Sequence, residues 1–132
     1  MEMKLELVPI PVSDVERAKA FYIDKLGFNM DVEVQPGNGV WFVQLTPPGS
    51  ACSIVIGTGL PVFAEVQPGG VKGLHLVVAD VRKAREMLAG RGVEVGEVEE
   101  HGRGVKYVPF SDPDGNSWVF QEMPWRSSEF SG

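Results

Sequence analysis

Alternating apolar and polar positions hand over to a helical pattern twice along the chain, and in the same way each time. LVPIPVSDVERAKAFY (residues 7–22) aligns with GLHLVVADVRKAREML (residues 73–88). Asp14 matches Asp80, Val15 matches Val81 and Ala18 matches Ala84, an offset of 66 residues (80 − 14) in a chain of 132. In each copy the apolar positions after the aspartate fall three and four apart: Val15, Ala18 and Tyr22, then Val81, Ala84 and Leu88. That spacing predicts helices burying one stripe. Ser13 with Glu16 has the capping-box spacing, so the first helix is expected from Asp14 to near Gly27. The second is expected from Asp80 to near Gly90 or Gly92. Three strand-like runs follow each helix: FNMDVEV, VWFVQL and ACSIVI, then VEVGEV, VKYVPF and SWVFQE. QPGNG, TPPGS and SDPDGN between them are turn sequences.

Each half therefore reads βαβββ, and the fold class is α+β. Module 1 spans about residues 4–57, an aperiodic linker about 58–70, module 2 about 71–122 and a tail 123–132. At this length the chain forms one domain of two intimately packed modules, with 43% hydrophobic residues for its core. The net charge of −6 disfavours nucleic acid and anionic membranes, because no basic stripe is present to neutralise phosphates. MEMKLELVPI does not read as a signal peptide, and no apolar run has membrane-spanning length. A single cysteine, Cys52, leaves no internal disulfide to form. A cytoplasmic protein whose partners are small molecules or other proteins is the simplest expectation.

The duplicated V-x-D-V-x-x-A segment, FYIDKLGF at the end of the first helix and DPDGN before the last strand resemble the vicinal oxygen chelate superfamily. That group contains glyoxalase I, bleomycin-resistance proteins, fosfomycin-resistance enzymes and extradiol dioxygenases. The resemblance covers about Leu5 to Glu122. It implies that the two modules curl into a half-open, eight-stranded mixed β-barrel with helices outside. The cup so formed holds a divalent metal or an organic ligand. It also implies a homodimer, to which Pro9 and Pro11 add a first strand whose edge lacks two donors and the tail adds Trp125.

Carried over residue by residue, the metal positions of the catalytic members fall on Leu7, Gly73 and Val119, with the remaining corner near Ser53. None of these is a His, Glu or Asp, so no metal ligand is assigned and no cofactor is expected. DPDGN is not a calcium loop either, because its twelfth position is Met123 instead of a bidentate glutamate.

His75 stands two residues beyond Gly73 on the same predicted strand and so shares its face, towards the cup. It is a packing histidine, a ligand contact or, least favoured because one imidazole without partners binds no metal tightly, a metal ligand. By the same parity Gln121 follows Val119 onto the cup face, either bonded to a neighbouring strand or available to a ligand. Trp41, Gln44 and Tyr107 lie on strands that help build the cup, their faces left open by the pattern. These five are the candidate ligand-binding residues. His101 and Arg103 sit in EEHGRG, which reads as a solvated, mobile loop, and Cys52 reads as core. Glu6 and Glu122 fall on the opposite parity from the cup, and no residue is assigned a catalytic role. Two functions follow. One is a metal-free protein of the glyoxalase/bleomycin-resistance type, holding a hydrophobic or amphipathic ligand in the cup. The alternative is a glyoxalase-like lyase or isomerase, or a dioxygenase-type enzyme, with displaced metal ligands or a metal-free mechanism using His75.

Overall fold

The computed structural model describes residues 1–130; Ser131 and Gly132, the end of the expected tail, lie outside the described residues. The chain forms two compact units. The first comprises Met1–Val71 together with Asp112–Asn116, and the second Lys72–Ser111 together with Ser117–Gly132.

In the first unit, β1 (Leu7–Pro11) leads into α1 (Val15–Ala20), which runs on as a π-helical turn (Phe21–Lys25) and ends before Gly27 at φ +79°. Strands β2 (Asn29–Gly37), β3 (Val40–Thr46) and β4 (Ser53–Thr58) follow, and the sheet order is β1-β4-β3-β2 with β1 parallel to β4. The linker is not structureless: it carries a short helix, α2 (Pro61–Ala64), started by Pro61. The second unit repeats the plan with β5 (Leu74–Val77), α3 (Val81–Gly90), β6 (Glu99–His101), β7 (Val105–Ser111) and β8 (Ser117–Glu122), in the order β5-β8-β7-β6. Two four-stranded mixed sheets, each of βαβββ topology, are thus present, as the α+β reading expects.

One face of each sheet is sealed by its helix. In the first unit Ile10, Val43, Leu45, Ile54 and Ile56 are buried with Val15, Ala18 and Tyr22. In the second, Val108, Phe110, Trp118 and Phe120 are buried with Val81 and Leu88. Fully burying a Val, Leu, Ile or Phe side chain among these stabilises the fold by about 1.5–3 kcal/mol.

Three local expectations are corrected. The capping box does not form; Asp14 caps α1 through Arg17 N at 3.1 Å, while the Ser13 hydroxyl donates to Asp114. VEVGEV is not the sixth strand, since β6 lies at Glu99–His101 and only Val95 bridges to Phe110. Pro109 explains the shift. Its carbonyl accepts from Gly96 N at 2.8 Å, so its ring nitrogen faces the same side and has no proton to donate. Regular pairing resumes only beyond it. EEHGRG is therefore half strand, half tight turn, with Arg103 at φ +66°.

On the helix side of the first sheet, Lys19 Nζ donates to Glu33 at 2.9 Å and the Trp41 indole N–H donates to the same carboxylate at 2.9 Å. Hydrogen bonds from Lys19 and then Trp41 hold the Glu33 carboxyl below its ordinary value of 4.5. A depressed folded-state pKa contributes stability present at neutral pH and lost as pH falls below 4.5 through the folded value. The pair is partly exposed, with side-chain exposures of 20% and 28%, so water screens it and its net contribution is small. In an acid titration followed by NMR, the Trp41 indole N–H resonance is expected to move below pH 4.5, and Glu33→Gln is expected to abolish that step. A resonance that titrates unchanged in Glu33→Gln would refute the assignment.

Candidate functional site

Strand register determines which candidate side chains share a face. In the second sheet His75 stands opposite Val119, Val77 opposite Gln121, Tyr107 opposite Gln121, and Pro109 opposite Val119. Glu99 stands opposite Tyr107 and His101 opposite Val105. Because side chains alternate along a strand, His75, His101, Tyr107 and Gln121 therefore lie on one face, among Val77, Val119 and Pro109. This is the face turned away from α3, and Tyr107, Pro109, Val119 and Gln121 on it are half-buried where Val108, Phe110, Trp118 and Phe120 on the helix side are buried.

Tyr107 is the centre of that surface. Its ring meets His75 edge-on at a centroid distance of 5.7 Å and His101 in a tilted contact at 4.5 Å. Such contacts hold aromatic rings in defined orientations. Nδ1 of His75 lies 2.7 Å from the carbonyl of Gly73. A carbonyl only accepts, so Nδ1 carries the proton, which leaves Nε2 as the ring nitrogen open to other partners. His101 Nε2 lies 3.7 Å from Glu99, an exposed pair that is ionic only when the imidazole is protonated.

The first sheet has a corresponding face. Leu7 pairs with Ser53, Pro9 with Val55 and Pro11 with Gly57, while Gln44 stands opposite Val55 and Phe42 opposite Gly57. Gln44 is half-buried there, beside Val32 of β2. Trp41 is not on this face. Its parity is that of Val43 and Glu33, and its indole is engaged with Glu33, so the structure groups it with Lys19 instead of with Gln44. Of the five candidates, His75, Tyr107 and Gln121 come together, Gln44 occupies the equivalent face of the other sheet, and Trp41 is turned away. His101 joins the first group although its sequence reads as loop.

Glu122 has a structural task. It accepts from Val81 N, the first residue of α3, at 2.9 Å and from Lys106 at 3.4 Å.

The donors at the expected metal corner do not fit a divalent ion. Leu7 and Val119 are aliphatic and Gly73 has no side chain. The Ser53 hydroxyl, 6% exposed, is already bonded to Thr46 Oγ1 at 2.7 Å. Among the described residues no group of three or more His, Cys, Asp or Glu is placed to hold a metal.

A family model, the Glyoxalase/Bleomycin resistance protein/Dioxygenase superfamily, matches residues 4–120. The chain belongs to this superfamily. Among solved structures it is similar to TnmS3, described as an antibiotic binding protein from Streptomyces sp. CB03234, with a TM-score of 0.81 and 33% identity over 92% of this chain and 97% of that one. It is also similar to a superfamily member from Sphaerobacter thermophilus DSM 20745, with a TM-score of 0.78 and 34% identity over 92% and 98% of the two chains. The Bacillus subtilis protein YwkD is 29% identical over 111 residues, 81% of this chain and 87% of its own. Among the described residues no helix of this superfamily member is long and apolar enough to cross a membrane.

Proposed function

We propose that this protein binds a hydrophobic or amphipathic small molecule without a metal, as a cytoplasmic binding protein of the resistance type. The observation that carries the reading is the half-open face built by His75, His101, Tyr107 and Gln121: aromatic and apolar, with a few hydrogen-bonding groups and no metal donor set. Such a composition suits a flat, largely apolar ligand that is oriented by one or two polar contacts. Tyr107 offers the stacking surface, Nε2 of His75 an acceptor for a ligand hydroxyl or N–H, and the Gln121 amide both a donor and an acceptor. The similarity to TnmS3, described as an antibiotic binding protein, supports the ligand class.

The test is a binding screen of aromatic antibiotics and small carbonyl compounds, first by thermal shift and then by calorimetry. Saturable binding of an aromatic compound that is recovered unconverted supports the reading; catalytic conversion of a carbonyl compound overturns it.

Elemental analysis of tag-free protein is expected to give well under one zinc, iron, nickel or manganese per chain. About one tightly held ion per chain would replace this reading with the metal-enzyme alternative.

The proposed working state is a homodimer. By strand geometry Ser53 N bonds to Glu6 O at 2.8 Å, so alternate residues of β1 face β4, and Pro9 and Pro11 turn their donor-less nitrogens to the free edge. That edge resists ladder extension, and association through exposed apolar side chains such as Trp125, 60% exposed, is expected instead. Light scattering is expected to give twice the 14.4 kDa chain mass, and a monomer at micromolar concentration would refute it.

A further inference from the structure

A second feature, confined to the first unit, shares no residue with the aromatic face and does not depend on it. Where the linker crosses the ends of β1 and β4, it leaves a hollow of about 370 Å³, lined by Pro11, Val12, Thr58, Leu60, Phe63 and Pro68 among others. No lining residue is charged, and Thr58 contributes the one side-chain hydroxyl, which lies 3.4 Å from the Gly39 carbonyl.

The walls are held by close packing. Gly57 forms part of the lining, and a Cβ there would come within 2.7 Å of the Phe63 ring and 2.5 Å of the Trp41 carbonyl. Glycine thus lets α2 press Phe63 onto the end of the sheet, where the ring is 7% exposed. Gly59, at φ +84°, would put a Cβ 2.2 Å from the Gly39 carbonyl, so the linker's departure from β4 is equally constrained. Pro11, Pro61 and Pro68 restrict the backbone around the opening. Such a hollow does not collapse cheaply, and water inside it finds few hydrogen-bonding partners.

We propose that this hollow is a binding site for an uncharged apolar ring, of one or two fused rings, with Phe63 as its rigid wall. A preformed apolar space gains dispersion contacts from such a group and loses little water. A charged group would be desolvated there without a counter-charge.

The experiment uses the ¹⁵N-labelled full chain with 2-naphthol as probe and naphthalene-2-sulfonate as its charged counterpart. Saturable shifts of the Gly57, Thr58, Gly59 and Phe63 amides with 2-naphthol are expected, together with binding weaker by about tenfold or more for the sulfonate. Ala64 lines the hollow yet is exposed, so Ala64→Trp fills the space from its rim while leaving the core intact. It is expected to weaken 2-naphthol binding by about tenfold or more. Shifts confined to His75, Tyr107 and Gln121 would overturn this site while sustaining the proposed function. Shifts confined to the hollow would sustain the site while counting against the aromatic face. Equal binding of the sulfonate, or unaltered affinity in a folded Ala64→Trp protein, overturns the apolar-ring assignment.

Discussion

Replacing Asp112 with alanine is expected to destabilise the protein by about 3 kcal/mol or more, because it strips the partners from several buried groups at once. The Asp112 carboxylate, 5% exposed, accepts from the Tyr22 hydroxyl at 2.8 Å, Asn116 Nδ2 at 2.8 Å, and the backbone N–H groups of Asp114 and Asn116, each at 2.9 Å. Tyr22 and Asn116 are both fully buried, so neither recovers its bond from bulk water. Each buried polar group left unpaired costs about 1–3 kcal/mol, and a carboxylate makes stronger bonds than a neutral acceptor. Tyr22→Phe removes one donor and leaves three, and is expected to cost only about 1–2 kcal/mol. Urea unfolding of the two variants measures both numbers. An Asp112→Ala protein within about 1 kcal/mol of the parent would show that the turn is held by its backbone alone.

Loss of Tyr107 is expected to have the largest effect on ligand binding. Tyr107→Ala removes the ring that His75 and His101 both contact, and with it the flat surface of the proposed site. Aromatic anchors at the centre of a binding surface are worth about 2 kcal/mol or more on truncation, so affinity for a ligand found in the screen is expected to fall about thirtyfold or more. His75→Phe provides the graded comparison, since it keeps an aromatic ring and deletes the acceptor at Nε2. It is expected to weaken binding by about 1–2 kcal/mol, the scale of one lost hydrogen bond. Calorimetry on both variants, with stability checked in parallel, separates stacking from hydrogen bonding. Full affinity in a folded Tyr107→Ala protein would remove this face from consideration.

Most of the architecture was legible in the sequence because it is written twice. The repeat from Asp14 to Asp80 located both helices, and both aspartates serve as their N-caps. Parity along β5 and β8 was enough to put His75 and Gln121 on one face, since a two-residue period survives any uncertainty about neighbours. Trp41 and Gln44 needed more. They lie on opposite faces of β3, and only pairing with β2 and β4 shows which face meets the helix. The sixth strand was misplaced because VEVGEV alternates well, while the missing donor that interrupts its ladder belongs to Pro109, a residue of its partner. His101 was hidden by its glycines. A tight turn centred on Arg103 pairs residues equidistant from it, His101 with Val105 and Glu99 with Tyr107, so reading GRG as a hairpin turn would have brought the histidine to the tyrosine.

The duplication is even in pattern but uneven in dependence. Residues 112–116 join β7 to β8, yet they belong to the first unit, where Asp112 meets Tyr22, Asp114 meets Ser13, and Asn116 meets Pro11 and Val71. During synthesis the first seventy-one residues therefore emerge with those partners still untranslated. Tyr22 waits for a carboxylate ninety positions downstream. The first unit is complete only once residues 112–116 have left the ribosome, so the first half of this duplicated sequence cannot finish folding ahead of the second.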